Sequence, residues 1–161
     1  MLAVVLVAAG LAGCDGSARD EMSRDAQVYV VTIREVVAEE PPPADPDVLP
    51  VVYVIGVGEE DIAADIQADV AAELKDEVDV RFADARAEAV LADDDEVPVR
   101  DHGVLVAIGA LAPESDEDAV DVEVEIYRSE ADWSRVVVTV GRRSSSQWTV
   151  TSTSVVPTDE A

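Results

Sequence analysis

Asparagine is absent from the chain, and cysteine, histidine and lysine occur once each, as Cys14, His102 and Lys75. A single cysteine excludes an internal disulfide, and Cys14 with His102 is too small a set for a Cys/His zinc cluster. Without asparagine there is no N-x-[ST] glycosylation site. Aromatic residues make up 4% of the chain against 48% hydrophobic residues in all, so the core must be mostly Val, Ala, Leu and Ile. Bases are scarce too: 11 Lys and Arg stand against 36 Asp and Glu, a net charge of −25. A nucleic-acid partner needs a basic footprint, and adhesion to anionic lipid headgroups needs the same. Both are excluded.

What is there begins with an uncharged apolar block, "LAVVLVAAGLA" at residues 2–12. It is too short to span a bilayer, which takes about 20 residues, and its length suits the apolar region of a secretion signal. "LAGC" follows, Leu11 to Cys14. This stretch resembles the lipobox of prokaryotic lipoproteins, although no Lys or Arg precedes the block. The resemblance implies cleavage after residue 13, a diacylglycerol thioether on Cys14 and anchoring by more than one acyl chain, since a single chain is marginal. Residues 14–26, "CDGSARDEMSRDA", are small, polar and charged and read as a flexible acidic tether.

The remainder, residues 27–156, reads as a single α+β domain, with 157–161 a disordered tail. "QVYVVTIREVV" (27–37) is rich in β-branched residues and predicts a strand. "AEEPPPADPD" is a stiff, acidic, exposed connector. "PVVYVIGV" (50–57) and "GVLVAIGA" (103–110) are apolar on both faces, as central strands are. Between them, Ile62, Ile66, Val70 and Leu74 make a helical stripe, Val78, Val80 and Phe82 a short strand, and "DARAEAVLA" (84–92) a short helix. That order gives a β-α-β-α-β segment with right-handed crossovers. "VDVEVEIYR", "WSRVVVTVG" and "QWTVTSTSVV" then predict a three-strand antiparallel meander. Facing valines place Val124, Val122 and Val120 opposite Val136, Val138 and Val140, Arg135 opposite Glu125, Trp148 opposite Val140 and Val150 opposite Val138. The expected architecture is a mixed sheet with two helices on one face.

Candidate chemistry is sparse. "GVGEED" occupies the place of a dinucleotide fingerprint, but the third glycine is Asp61, and Glu59 and Glu60 would confront a pyrophosphate. The glycines therefore read as turn residues. His102, in "RDHG", has an adjacent aspartate that could orient it as a base, yet no G-x-S-x-G elbow supplies a nucleophile. Asp93, Asp94 and Asp95 in one loop and Asp116 and Asp118 in another offer hard oxygen ligands without the EF-hand pattern. Tyr127, Trp133 and Arg135 fall on the wet face of the meander, where an aromatic pair makes a contact patch for a protein or glycan.

Together these features describe a lipid-anchored, extracytoplasmic module of the cell envelope that binds or scaffolds, without a cofactor. Its partners are the membrane, through Cys14, and an envelope protein or glycan. The rival is a small envelope hydrolase using His102 or loop carboxylates. The excess of acids, with Arg as nearly every base, is similar to the surface of proteins from salt-loving microbes. Self-repulsion on this scale opposes compaction, and salt relieves it as the Debye length falls from about 8 Å at physiological strength to about 3 Å at 1 M. The thermal midpoint is therefore expected to rise with NaCl, followed by circular dichroism; a flat or falling curve up to molar salt contradicts the salt-adapted reading.

Overall fold

The computed structural model describes residues 22–91, 97–112, 118–144 and 147–157. The leader, Cys14 and the first part of the tether lie outside the described residues. The elements are α1 (Arg24–Ala38), β1 (Val51–Gly56), α2 (Ala64–Leu74), β2 (Asp79–Phe82), the single turn α3 (Arg86–Ala89), β3 (Val104–Ile108), β4 (Ala119–Ser129), β5 (Asp132–Ser144) and β6 (Gln147–Val155). The strands form one six-stranded sheet in the order β2-β1-β3-β4-β5-β6. β2, β1 and β3 run parallel; β3 to β6 are antiparallel neighbours. The fold is α+β, with the expected β-α-β-α-β segment followed by the meander.

Residues 27–37 are not a strand, as their β-branched composition suggests, but the body of helix α1. Ser23 caps it: its Oγ accepts from the Ala26 N–H at 3.2 Å, and Asp25 sits in the first turn, where the helix dipole favours an anion. The helix therefore begins inside the segment that reads as tether. Ala26, Val30, Ile33 and Val36 recur at helical spacing, and Val28, Tyr29 and Thr32 are buried as well. A helix buried on so much of its circumference tolerates Val, Ile and Thr because packing outweighs a per-residue propensity cost of at most about 0.7 kcal/mol.

Two helices, α1 and α2, do cover one face, but the second is not the helix of residues 84–92. That segment supplies only α3, whose Ala89 packs on the opposite face with Tyr53, Ile55, Val99, Leu105 and Ala107. The strand order supplies the reason. The chain moves outward from β1 to β2 and then back across β1 to β3. A right-handed crossover that reverses direction must pass over the other face. The parallel end of the sheet is thus buried on both sides. The meander is buried only on the α1 side, where Val120, Val122, Val124 and Ile126 alternate with more exposed residues.

The β4/β5 register is the one set by facing valines: Val120↔Val140, Val122↔Val138, Val124↔Val136 and Glu125↔Arg135. The second hairpin differs. Val140 faces Val150, and Trp148 faces Arg142 instead of Val140. Pairing continues out to Ser144 and Gln147, so both arginines of "RRSSS" belong to the strand and not to the turn. A shift at Thr139/Val140 then sets Val138 opposite Thr153. Trp148 stays buried, with the Arg142 guanidinium 4.9 Å from its ring centroid.

Ile33 is fully buried in the α1–sheet core. Ile33→Ala is expected to cost about 2–5 kcal/mol in urea unfolding, and Ser23→Ala about 1 kcal/mol through the lost cap. A Ser23 variant as stable as the parent would count against the capped helix.

Candidate functional site

The largest concentration of chemistry lies at the N-terminal ends of β1 and β3. Pro41, Pro42 and Pro43 stiffen the segment leaving α1. Glu40 fixes its start: its side chain is 14% exposed and both its carboxylate oxygens accept from Arg128 Nε at 3.0 Å. Further on, Asp45 Oδ1 accepts from the Asp47 N–H at 3.0 Å, an Asx turn. The segment then returns through Val48 and Leu49, which are 54% and 37% exposed. Between this loop and the strand ends lies a cleft of about 480 Å³. Its lining is mainly Val37, Pro41, Pro43, Val48, Leu49 and Val51, with Glu40, Asp45, Asp101 and His102 as its polar groups. Val48 and Leu49 separate it from a shallower depression of about 680 Å³ that Lys75, Asp79, Arg81, Asp101 and His102 line.

The wall shared by both is strained. Asp101 and His102 have φ of 56° and 53°, the left-handed region that side chains with a Cβ enter only at a cost. Gly103 completes the turn because a Cβ there would stand 2.8 Å from the Val51 carbonyl oxygen. Asp101 is held from the other side. Tyr53 Oη donates to Asp101 Oδ2 at 2.8 Å, and Arg81 Nη1 donates to Tyr53 Oη at 2.9 Å. Arg81 also pairs with Asp101 directly and with Asp79 Oδ2 at 2.8 Å. The Tyr53 hydrogen bond, and after it that of Arg81, holds the Asp101 carboxyl below its ordinary range. Hydrogen bonding to Asp79 and then to Tyr53 raises the Arg81 guanidinium.

His102 therefore shares a cleft with its neighbouring aspartate, but that carboxylate is committed to Tyr53 and Arg81. Val, Leu and Ala line both hollows together with charged residues and His102, Pro and Gly line the first alone, and no serine, threonine or cysteine is among them. Of the loop carboxylates, Asp93, Asp94, Asp95 and Asp116 lie outside the described residues. Asp118 is exposed, and its main-chain oxygen accepts from the Arg142 N–H at 2.7 Å. Among the described residues no three His, Cys, Asp or Glu side chains stand together as a metal site would require.

Tyr127 and Trp133 are direct cross-strand partners on the open face of the meander. Their exposures differ. The Arg86 guanidinium lies 3.9 Å from the Tyr127 ring centroid, and Tyr127 packs onto the small second core. Trp133 remains 47% exposed. Arg135 pairs with Glu125 and, at 3.3 Å, with Glu123, and Thr139 donates to Asp121 at 2.7 Å. This face satisfies its own polar groups. Gly56 and Gly58 serve the turn after β1: a Cβ on Gly56 would stand 2.1 Å from the Glu60 carbonyl oxygen, and Gly58 has a φ of 69°. Glu59 accepts from the Arg86 N–H at 3.2 Å.

Sequence reasoning singled out His102 but not the cleft, Val48, Leu49 or the Tyr53–Asp101–Arg81 cluster. The available signal was the Val48–Leu49 pair, apolar residues inside an otherwise proline-rich acidic connector. Comparison with family models, curated proteins and solved structures finds no match for this chain.

Because the Asp101 pKa is depressed in the fold, its stabilising contribution is complete above the unfolded carboxylate range and disappears as pH falls through the folded value. The parent is expected to exceed Asp101→Asn in urea midpoint at neutral pH, and the gap should close in acid. A gap independent of pH would show that the Asp101 charge does not stabilise the turn.

Proposed function

We propose that this chain is a lipid-anchored, extracytoplasmic binding module whose cleft beneath the Pro41–Pro50 loop takes an apolar ligand, neutral or cationic. One observation carries the reading. A concave, largely apolar site of about 480 Å³ lies open beside exposed Val48 and Leu49, within the size range of small-ligand pockets. Asp45 and Asp101 at its border and the −25 charge of the chain disfavour anions. The left-handed backbone at Asp101 and His102 supports the assignment, since such strain concentrates at binding sites. No serine, threonine or cysteine lines the hollows beside His102, and the Tyr53 hydroxyl on this wall is engaged by Asp101 and Arg81, which favours binding over hydrolysis.

Anchoring rests on Leu11–Cys14. With α1 beginning at Arg24, a lipid on Cys14 holds the start of the domain within about 35 Å of the bilayer at full chain extension. The dense negative charge keeps the surface soluble beside the membrane instead of adhering to anionic headgroups.

Two measurements test the proposal. Mass spectrometry of membrane-extracted protein should find an acylated Cys14 as the N-terminus, and Cys14→Ser should leave the membrane fraction; an unprocessed chain free in the cytosol refutes the anchor. Nile red, a neutral apolar fluorophore, should brighten in the cleft, and Leu49→Asp should weaken its binding by about tenfold, roughly the loss of one buried apolar contact. Equal binding by parent and variant refutes the cleft.

A further inference from the structure

The two edges of the sheet are built in opposite ways. β2 is four residues long and carries Asp79 and Arg81; short, charged edges resist pairing with other chains. β6 is nine residues long, interrupted only by the one-residue register shift that leaves Thr151 without a partner on β5. No residue from 144 to 158 bears a charge, in a chain of which 29% is charged. Residues 151–155 are all exposed, Val155 by 72%, and Thr and Val dominate the strand, the residues that suit a pleated backbone. β6 pairs with β5 on one side and has no strand partner on the other among the described residues. Two of its hydroxyls turn away from that side: Thr151 Oγ1 donates inward to the Thr139 carbonyl at 3.0 Å and Ser154 Oγ to the Val137 carbonyl at 3.5 Å.

Charge is arranged at the two ends of this strand. Arg142 and Arg143 stand beside its start, where Arg142 faces Trp148. Arg143 is exposed, and neither arginine has a carboxylate partner among the described residues. At the other end Thr153 Oγ1 donates to Glu35 of α1 at 3.4 Å. An antiparallel two-fold pairing of this edge with itself brings the arginine end of one copy to the glutamate end of the other. A second copy therefore matches the edge in both backbone and charge, and a two-fold contact uses the same surface twice.

We infer that β6 is a self-association edge, pairing antiparallel with β6 of a second copy so that two sheets join into one. The ladder supplies main-chain hydrogen bonds, and the ends supply ion pairs that select the antiparallel direction. Because each copy carries a charge of −25, overall repulsion opposes the contact, and the dimer tightens as salt screens it.

Sedimentation velocity on the full chain in mild detergent tests this, with Cys14→Ser present to exclude an intermolecular disulfide. In about 1 M NaCl the parent is expected to be a dimer that dissociates as salt is lowered. Ser152→Glu, which sets like charges across the joint, should weaken the dimer by about tenfold or more. Ala72→Glu, on the exposed face of α2, adds the same charge elsewhere and should leave it intact. At the lowest salt that still holds the dimer, where screening is weaker, Arg143→Glu should weaken it, and adding Glu35→Arg should restore it. Circular dichroism melts confirm that each variant is folded. A parent that stays monomeric to about 0.1 mM overturns the inference, as does a dimer indifferent to Ser152→Glu. A monomer that adds an extended foreign peptide along β6 also overturns it, by giving the edge to another partner.

Discussion

Burial of valine, isoleucine and leucine between the α1–α2 layer and one sheet face holds this molecule together against its own charge. Val52, Val54, Val106, Val122 and Val124 of the sheet meet Ile33 of α1 and Leu74 of α2, each almost fully removed from water. Each such side chain contributes about 1.5–3 kcal/mol. With so few aromatics, many medium-sized contacts replace a few large ones. The opposite face is covered by the single turn α3 alone, which is why the second core stays small.

The arginines are placed where they do most against the acidic excess. Arg128 holds Glu40 at the end of α1, and Arg34 ties α1 to Glu77, just beyond α2, at 2.7 Å. Arg81 gathers Asp79, Tyr53 and Asp101 at the wall of the cleft. Arg86 covers Tyr127. Exposed pairs of this kind are individually worth little, but they fix positions. The loop over the cleft is located at one end by Arg128 and faces a turn located by Arg81. The geometry of the site thus depends on two bases in a chain that has few.

Much of the fold was legible in the sequence. The doubly apolar runs of β1 and β3 and the strict alternation of β4 carry their own periodicity, and facing valines set the β4/β5 register. α1 is not legible in this way, because its β-branched residues imitate a strand while its buried positions follow the helical period. The partner of Trp148 is Arg142 and not Val140, because the length of a serine-rich turn is not written in its composition. The side taken by α3 depends on strand order, a long-range property. The site was less legible still. Residues 41–49 meet 101–104 only in three dimensions, and Tyr53, Arg81 and Asp101 come from three separate elements. His102 stood out only because it is unique.

Helix α1 links the two ends of the molecule. Its first residue reaches the far side of β3, where the Arg24 guanidinium donates to the Ala112 carbonyl at 2.9 Å, and its last turn leads to Glu40 at the cleft. Fifteen residues make a strut about 22 Å long. The cleft therefore opens at the opposite pole from the residue where the helix starts. Under the proposed anchoring through Cys14, its mouth would face away from the lipid.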